Sequence, residues 1–257
     1  MEPELWFGWF RPDILVEYRE LFWRGALMTL GMTVVCVLLG GTWGLLLALA
    51  RLAQARHAPW NWVCRFLLRW PSTVYVSFFR GTPLFVQILL MHFAVMPLFI
   101  HPVSGWVVDG ELARTLKQEH GALISGIAAL TLNSAAYISE VFRAGIQSIS
   151  KGQFDAGRSL GFTPMQVMRY VVLPQAFRRM LPPLGNNMIA LLKDTSLVSA
   201  IGLAEMAYAA RTVAGGLCTV LGAIPGHFAG LLAHDAGIDH CLAQVGIPPG
   251  PQRPQLI

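Results

Sequence analysis

Charge is the scarcest ingredient of this chain. Only 13% of its 257 residues are charged while 54% are apolar, against roughly 25% charged in ordinary soluble domains, which excludes a water-soluble globule as the starting picture. A GxxxxGK[ST] phosphate loop is also missing, so the chain does not carry the usual nucleotide cradle of a motor. HExxH and GxSxG do not occur, and His92, His101 and His120 have no carboxylate or cysteine at ligand spacing within an apolar stretch, which argues against an intramembrane enzyme. The four cysteines, Cys36, Cys64, Cys218 and Cys241, form no CxxC pair. That excludes a disulfide framework and a zinc knuckle and leaves them as isolated small apolar side chains. His234, Asp235, Asp239, His240 and Cys241 lie close in sequence but have no fixed scaffold, so neither a metal nor any other cofactor is expected. The net charge of +5 needs no nucleic acid to explain it, because the arginines fall where membrane topology would place them.

What is present is a series of long charge-free runs. Arg24 and Arg51 bracket 26 uncharged residues, Arg80 and Asp109 bracket 28, and Glu119 and Glu140 bracket 20. Each reaches the roughly 20 residues that a helix needs to cross a bilayer core. Backbone groups in lipid must be paired within the segment, and the alternating pattern of barrel strands is absent, so the runs read as helices. Spans are expected at about 26 to 50, 74 to 100 and 121 to 141. A fourth, at about 184 to 203, is interrupted by Asn186, Asn187, Lys193, Asp194, Thr195 and Ser196. Adjacent residues do not face one another on a helix, so Lys193 and Asp194 each need a separate partner. Either they sit at a helix break near an interface, or they serve the translocation path or packing between subunits.

Arg51, Arg56, Arg65, Arg69 and Arg80 come without one acid between them, whereas Arg114 and Lys117 are balanced by Asp109, Glu111 and Glu119. The positive-inside rule makes the first segment cytoplasmic and the second external. The next basic segment, with Arg143, Lys151, Arg158, Arg169, Arg178 and Arg179, is then cytoplasmic too, and the N-terminus lies outside. Glu2, Glu4, Asp13, Glu17 and Glu20 give the first 25 residues the wrong charge for a secretory signal peptide. Thr212 to Ala233 carries no formal charge, but Gly215, Gly216, Gly222, Gly226, Gly230 and Pro225 weaken it as a helix. The chain therefore divides into an external segment (1–25), a membrane domain (26–212) containing a cytoplasmic segment (140–183), and a divergent tail (213–257) with a weak fifth span and a disordered, proline-rich end.

The cytoplasmic segment is the most informative stretch. Ser150 followed by Gln153 fits a capping box and Gly161 fits a helix stop, which predicts a helix of two to three turns. Thr163, Pro164 and Gln166 fit a second capped start, of a helix running to Pro174. Two short helices joined at Gly161 would make a rigid elbow, with Phe154 and Leu160 as an exposed apolar ridge beside the small Ala156 and Gly157. A plain connecting hairpin is the alternative, though ordered connections this long tend to be functional.

These residues resemble the integral-membrane permeases of ABC importers, in particular the polar amino-acid uptake branch that carries histidine, arginine, glutamine, glutamate or opines. The family motif E-A-A, three residues, G, nine residues, I-x-L-P is similar to Asp155-Ala156-Gly157, Gly161 and Val171-Val172-Leu173-Pro174. Arg80 to Gln87, Tyr137 to Ile149 and Lys193 to Val198 look like the same branch, so the resemblance covers about residues 25 to 212. Asp155 replaces the usual Glu and keeps its charge. Gly157 replaces the usual Ala, which should loosen the short helix by up to about 1 kcal/mol. After about Gly215 the family's fifth span and basic terminus are not recognisable, as divergence or a shifted reading frame would produce.

The resemblance implies an all-α polytopic bundle in the bacterial inner membrane, with four clear spans and a doubtful fifth. It implies a second permease subunit, the same or homologous, a dimer of ATPase subunits beneath, and an external amino-acid-binding protein. ATPase coupling would fall to Gly152, Phe154, Asp155, Ala156, Gly157, Leu160, Gly161, Leu173 and Pro174. Thr82, Gln87, Asn133, Ser134, Asn187, Lys193, Asp194 and Thr195 are the polar candidates for the translocation path; ordinary interhelical hydrogen bonding is the plainer role for any one of them. An ion-coupled secondary transporter would explain the spans but not the capped elbow, and the chain shows no internal repeat. A non-transporting membrane subunit with a defective C-terminus is the remaining alternative.

Overall fold

The computed structural model describes residues 16–52, 62, 65–103 and 105–222, and among them every named element is helical. Helix α1 runs over Arg19–Leu52. A π-helical turn at Arg65–Arg69 leads into α2, Trp70–Gly81. Helix α3 is Leu84–Leu90, and a second π turn at Met91–Val95 joins it to α4, Met96–Phe99. The long α5 spans Gly110–Gln147. Next come α6, Lys151–Ser159, and α7, Pro164–Val167, which passes through a π turn at Met168–Val172 into α8, Leu173–Asp194. A 3-10 stretch, Thr195–Ile201, follows, and the last helix is α9, Met206–Gly222.

Among the described residues two helices, α1 and α5, are long and apolar enough to cross a membrane, and the number rises to as many as four if each of two bent helix pairs counts as one span. The span expected at 74 to 100 is one of those pairs. Arg65–Gly81 and Leu84–Phe99 meet at 107°, because Pro83 cannot donate to the helix and holds Thr82 in an extended conformation. The second pair joins Pro164–Ile201 to Met206–Gly215, so the span expected at 184 to 203 counts together with the start of α9 rather than apart from a fifth, and everything after Gly222 lies outside the described residues. The same is true of Glu2, Glu4, Asp13, Arg56, Cys64 and the His234 to Cys241 group.

The chain divides into two compact units. The smaller holds residues 1–28 and 204–257. Within it the buried Glu205 carboxylate accepts from the backbone N–H groups of Ala207 and Tyr208, both at 2.9 Å. Side-chain oxygens so placed satisfy orphan donors at the start of α9.

The larger unit, residues 29–203, is organised around α5. Helix α1 lies parallel to it, as a ladder of close approaches shows. A Cβ added at Gly126 would lie 3.4 Å from Met32, and one at Gly44 would stand 2.9 Å from the Ala135 carbonyl. Between these levels, Cys36 Sγ reaches the Ile127 carbonyl at 3.7 Å and Gly40 packs on Ser134. Gly40 and Gly44 form a GxxxG spacing that lets the two backbones close in, the usual device where lipid supplies no hydrophobic drive between helices. Parallel packing puts the ends of both helices together, and there Arg51 donates to Glu140 at 2.6 Å. Arg143 also donates to Glu140. Arg51 and Arg143, one from each of the segments that charge assigns to one side, thus share one end of the bundle, called here the basic end.

Helix α8 runs antiparallel to α5. Met180 packs on Gly145 and Arg179 donates to the Ser148 carbonyl at 2.7 Å near the basic end, while Val198 packs on Gly126 further along.

Candidate functional site

Three helical segments converge on α5 to build the site. At the α2–α3 break the last carbonyls of α2 would be left without partners. Gln87 supplies them: its Nε2 donates to Phe79 O at 2.9 Å, Thr82 O at 3.1 Å and Thr82 Oγ1 at 2.7 Å. Asn133 of α5 then donates to Gln87 Oε1 at 2.9 Å and to Phe79 O at 3.2 Å. Thr82, Gln87 and Asn133 are therefore brought into one network that fixes the bend against α5.

Beside this network is a cavity of about 700 Å³. Its polar wall consists of Thr82, Asn133, Ser134, Tyr137, Asn187 and Asp194; Val37 and Gly41 of α1 and Leu181, Leu184, Met188 and Leu191 of α8 complete it with apolar surface. Largely apolar walls with a few convergent polar groups are the usual make-up of a small-molecule site. Five of the eight polar candidates for a path, Thr82, Asn133, Ser134, Asn187 and Asp194, thus line one space. Gln87 is buried behind it, and its amide is taken up by Phe79 O, by Thr82 and by Asn133. Thr195 is fully buried and donates to Leu192 O at 2.7 Å, and Lys193 is exposed; neither lines the cavity. The structure places the Lys193–Asp194 pair at the change from α8 to the 3-10 stretch, in keeping with a helix break.

A second cavity, of about 410 Å³, lies nearer the basic end and shares Tyr137 and Asn187 with the first. Tyr137, which sequence reasoning did not single out, carries the Arg80 guanidinium 5.3 Å from its ring centroid. Only the tertiary fold brings residues 80 and 137 together, so spacing held no signal for the pair. The Gly40 and Gly44 contact was different: its GxxxG spacing stood in the sequence.

The segment expected to couple to a motor forms a compact foot below α5 and α8. Helix α6 ends at a Schellman turn, in which Phe162 N–H bonds Gly157 O at 3.1 Å and Gly161 N–H bonds Arg158 O at 2.9 Å, with Gly161 at φ +84°. Thr163 and Gln166 make the expected reciprocal capping box. Ser150 does not: it is the N-cap residue of α6 but its side chain caps nothing; the Gln153 N–H donates to the Ser150 carbonyl at 3.0 Å, and the Gln153 amide oxygen accepts from Gln175 of α8 at 3.2 Å. The second helix also runs on past Pro174, where it was expected to stop. The π turn at Met168–Val172 shifts the hydrogen-bond register just ahead of Pro174, so the missing N–H does not end the helix.

Ile149, Val167, Val172, Ala176 and Met180 form a buried core beneath the foot, and Phe154 packs against it. Phe154 therefore faces inward, and the apolar ridge expected to include it is carried instead by Leu160, 77% exposed, and Met165, 76% exposed. Gly152, Asp155, Ala156, Leu173 and Pro174 are exposed, and Gly157 is buried. The foot is thus rigidly packed on its inner side and open on its outer side.

Residues 62–229 match the family described as binding-protein-dependent transport system inner membrane component. The glutamate/aspartate import permease protein of Escherichia coli O157:H7 is 39% identical over 189 residues, 74% of this chain and 75% of that one. The L-cystine transport system permease protein of Bacillus subtilis is 36% identical over 79% of this chain and 76% of its own length. Among solved structures, the crystal structure of an amino acid ABC transporter with histidines aligns with a TM-score of 0.62 and 34% identity, covering 78% of this chain and 81% of that one. The chain therefore belongs to the binding-protein-dependent transport system inner membrane components and is an all-helical, multi-pass permease subunit of the inner membrane.

Proposed function

We propose that this permease serves an ATP-driven importer of polar amino acids, and that it takes its power stroke from a separate ATPase. The cavity of about 700 Å³ carries this reading, because it gathers Thr82, Asn133, Ser134, Asn187 and Asp194 from three segments of the bundle into one space of suitable chemistry. The relatives named above are import and transport permeases for glutamate, aspartate and cystine.

In this account a second permease subunit completes the pathway, an external binding protein delivers the amino acid, and an ATPase dimer receives the foot from Gly152 to Gly161. Leu160 is the apolar anchor for that contact, since a large, exposed side chain on a rigid base is the type that dominates interface energetics. The buried core below α6 lets a push on the foot reach α5 and α8 without being absorbed. Because those two helices carry most of the cavity wall, a change in their packing changes access to it.

Uptake by proteoliposomes containing the complete complex tests this. Labelled glutamate, glutamine, arginine, histidine or cystine should accumulate only when ATP is enclosed with the ATPase subunits. Accumulation driven by an ion gradient without ATP would favour the secondary-transporter reading instead.

A further inference from the structure

The second cavity presents donors in excess of acceptors. Arg80 of α2 and Arg179 of α8 both line it, Arg179 with its Nη1 already donating to Ser148 O and Oγ. Its one carboxylate, Glu140, is already committed to Arg51 and Arg143. Arg80 makes no ion pair among the described residues and is held by the Tyr137 ring alone. An unspent guanidinium on a concave surface calls for a ligand with anionic oxygens, and a guanidinium fork matches a carboxylate in two bonds.

We propose that this cavity is a carboxylate site on the exit side of the permease, which holds the α-carboxylate of an amino acid between Arg80 and Arg179. The proposal rests on the transport reading for the identity of the ligand. Two observations favour an amino acid over a lipid headgroup: the cavity shares Tyr137 and Asn187 with the larger one, and its volume of about 410 Å³ admits a whole small molecule. Occupancy would bridge α2 to α8, so that product retained there hinders the helix movements of the next cycle. Accumulated amino acid at the basic end would then slow its own uptake.

The test is equilibrium dialysis of the complete complex, without nucleotide, in phosphatidylcholine discs. Labelled L-glutamate, L-glutamine, L-arginine, L-histidine and L-cystine are used separately. The wild-type complex should bind at least one of them, and Arg80→Gln should weaken that binding tenfold or more, with Arg80→Lys in between. Arg179→Gln, on α8, should act in the same direction, which guards against a folding defect in one variant. Amines lacking the α-carboxylate, histamine and agmatine, should not compete with histidine and arginine. Wild-type affinity in both arginine variants, equal competition by the amines, or an effect seen only in discs with phosphatidylglycerol would each overturn the proposal. A complex that imports with ATP but binds no amino acid here would overturn the site and leave transport standing; binding without ATP-dependent import would do the reverse.

Discussion

Gly157 of α6 lies so close to Val167 of α7 that a Cβ added at 157 would stand 2.9 Å from Val167 Cγ2. Val167 is fully buried in the core beneath the foot, so it cannot swing aside into solvent. The glycine, which helix propensity marks as a weakness, is here the residue that lets two helices of the foot touch.

Gly157→Ala should therefore destabilise the foot despite alanine's better helix propensity, by about 1 to 3 kcal/mol of overpacking. The double variant Gly157→Ala with Val167→Ala should recover part of that loss. Thermal unfolding of the purified complex, arranged as a double-mutant cycle, measures the coupling. A gain in stability from Gly157→Ala alone would show that the contact is not tight.

Gly161 adopts φ +84° at the turn between α6 and α7. A branched side chain there is strained by about 1 to 2 kcal/mol, while asparagine tolerates the left-handed region better. Gly161→Val should lower ATP-dependent uptake and loosen its coupling to hydrolysis, and Gly161→Asn should lower both less. Unchanged uptake per ATP in Gly161→Val would remove the elbow from the mechanism.

Thr163→Ala removes half of the box that starts α7 and should cost about 1 kcal/mol. Ser150→Ala should cost much less, because the Ser150 side chain makes no capping bond. Equal losses in the two variants, read from unfolding midpoints, would contradict the difference between the two caps.

Those two caps show what could be read from the residues alone. The Thr163 and Gln166 box is settled by neighbours in sequence, and it formed as expected. At Ser150 the same spacing formed no box: the Gln153 N–H goes to the Ser150 carbonyl, and Gln175, 22 positions beyond Gln153, takes the Gln153 side-chain oxygen. The apolar runs marked α1 and α5 well, since length and lack of charge decide a membrane helix. Pro83 bent a run that composition alone reads as continuous, whereas Pro174 was absorbed by a π turn; the same residue type led to opposite outcomes through its surroundings. Five of the eight path candidates were gathered into one cavity, yet Tyr137 and Arg80 required the fold to bring them together.

The Arg51–Glu140–Arg143 cluster ties the end of α1 to that of α5, with side chains 15% exposed at Arg51 and 24% at Glu140. Such partial burial makes the pair stronger than a surface bridge and weaker than a fully buried one, so Glu140→Gln should cost about 1 to 2 kcal/mol. Adding Arg51→Met to Glu140→Gln should cost less than the sum of the single changes. Strict additivity of the two unfolding shifts would mean that the contact contributes nothing.

The central claim is that an exposed foot on this permease meets an ATPase. Replacing Leu160 with a photo-crosslinking phenylalanine derivative in the assembled complex tests it directly, because that side chain projects from the outer side of the foot. The account predicts a covalent adduct with the ATPase subunit, and a yield that changes when the complex is driven between nucleotide-free and ATP-bound states. An adduct with the external binding protein, or none with the ATPase in any nucleotide state, would contradict it.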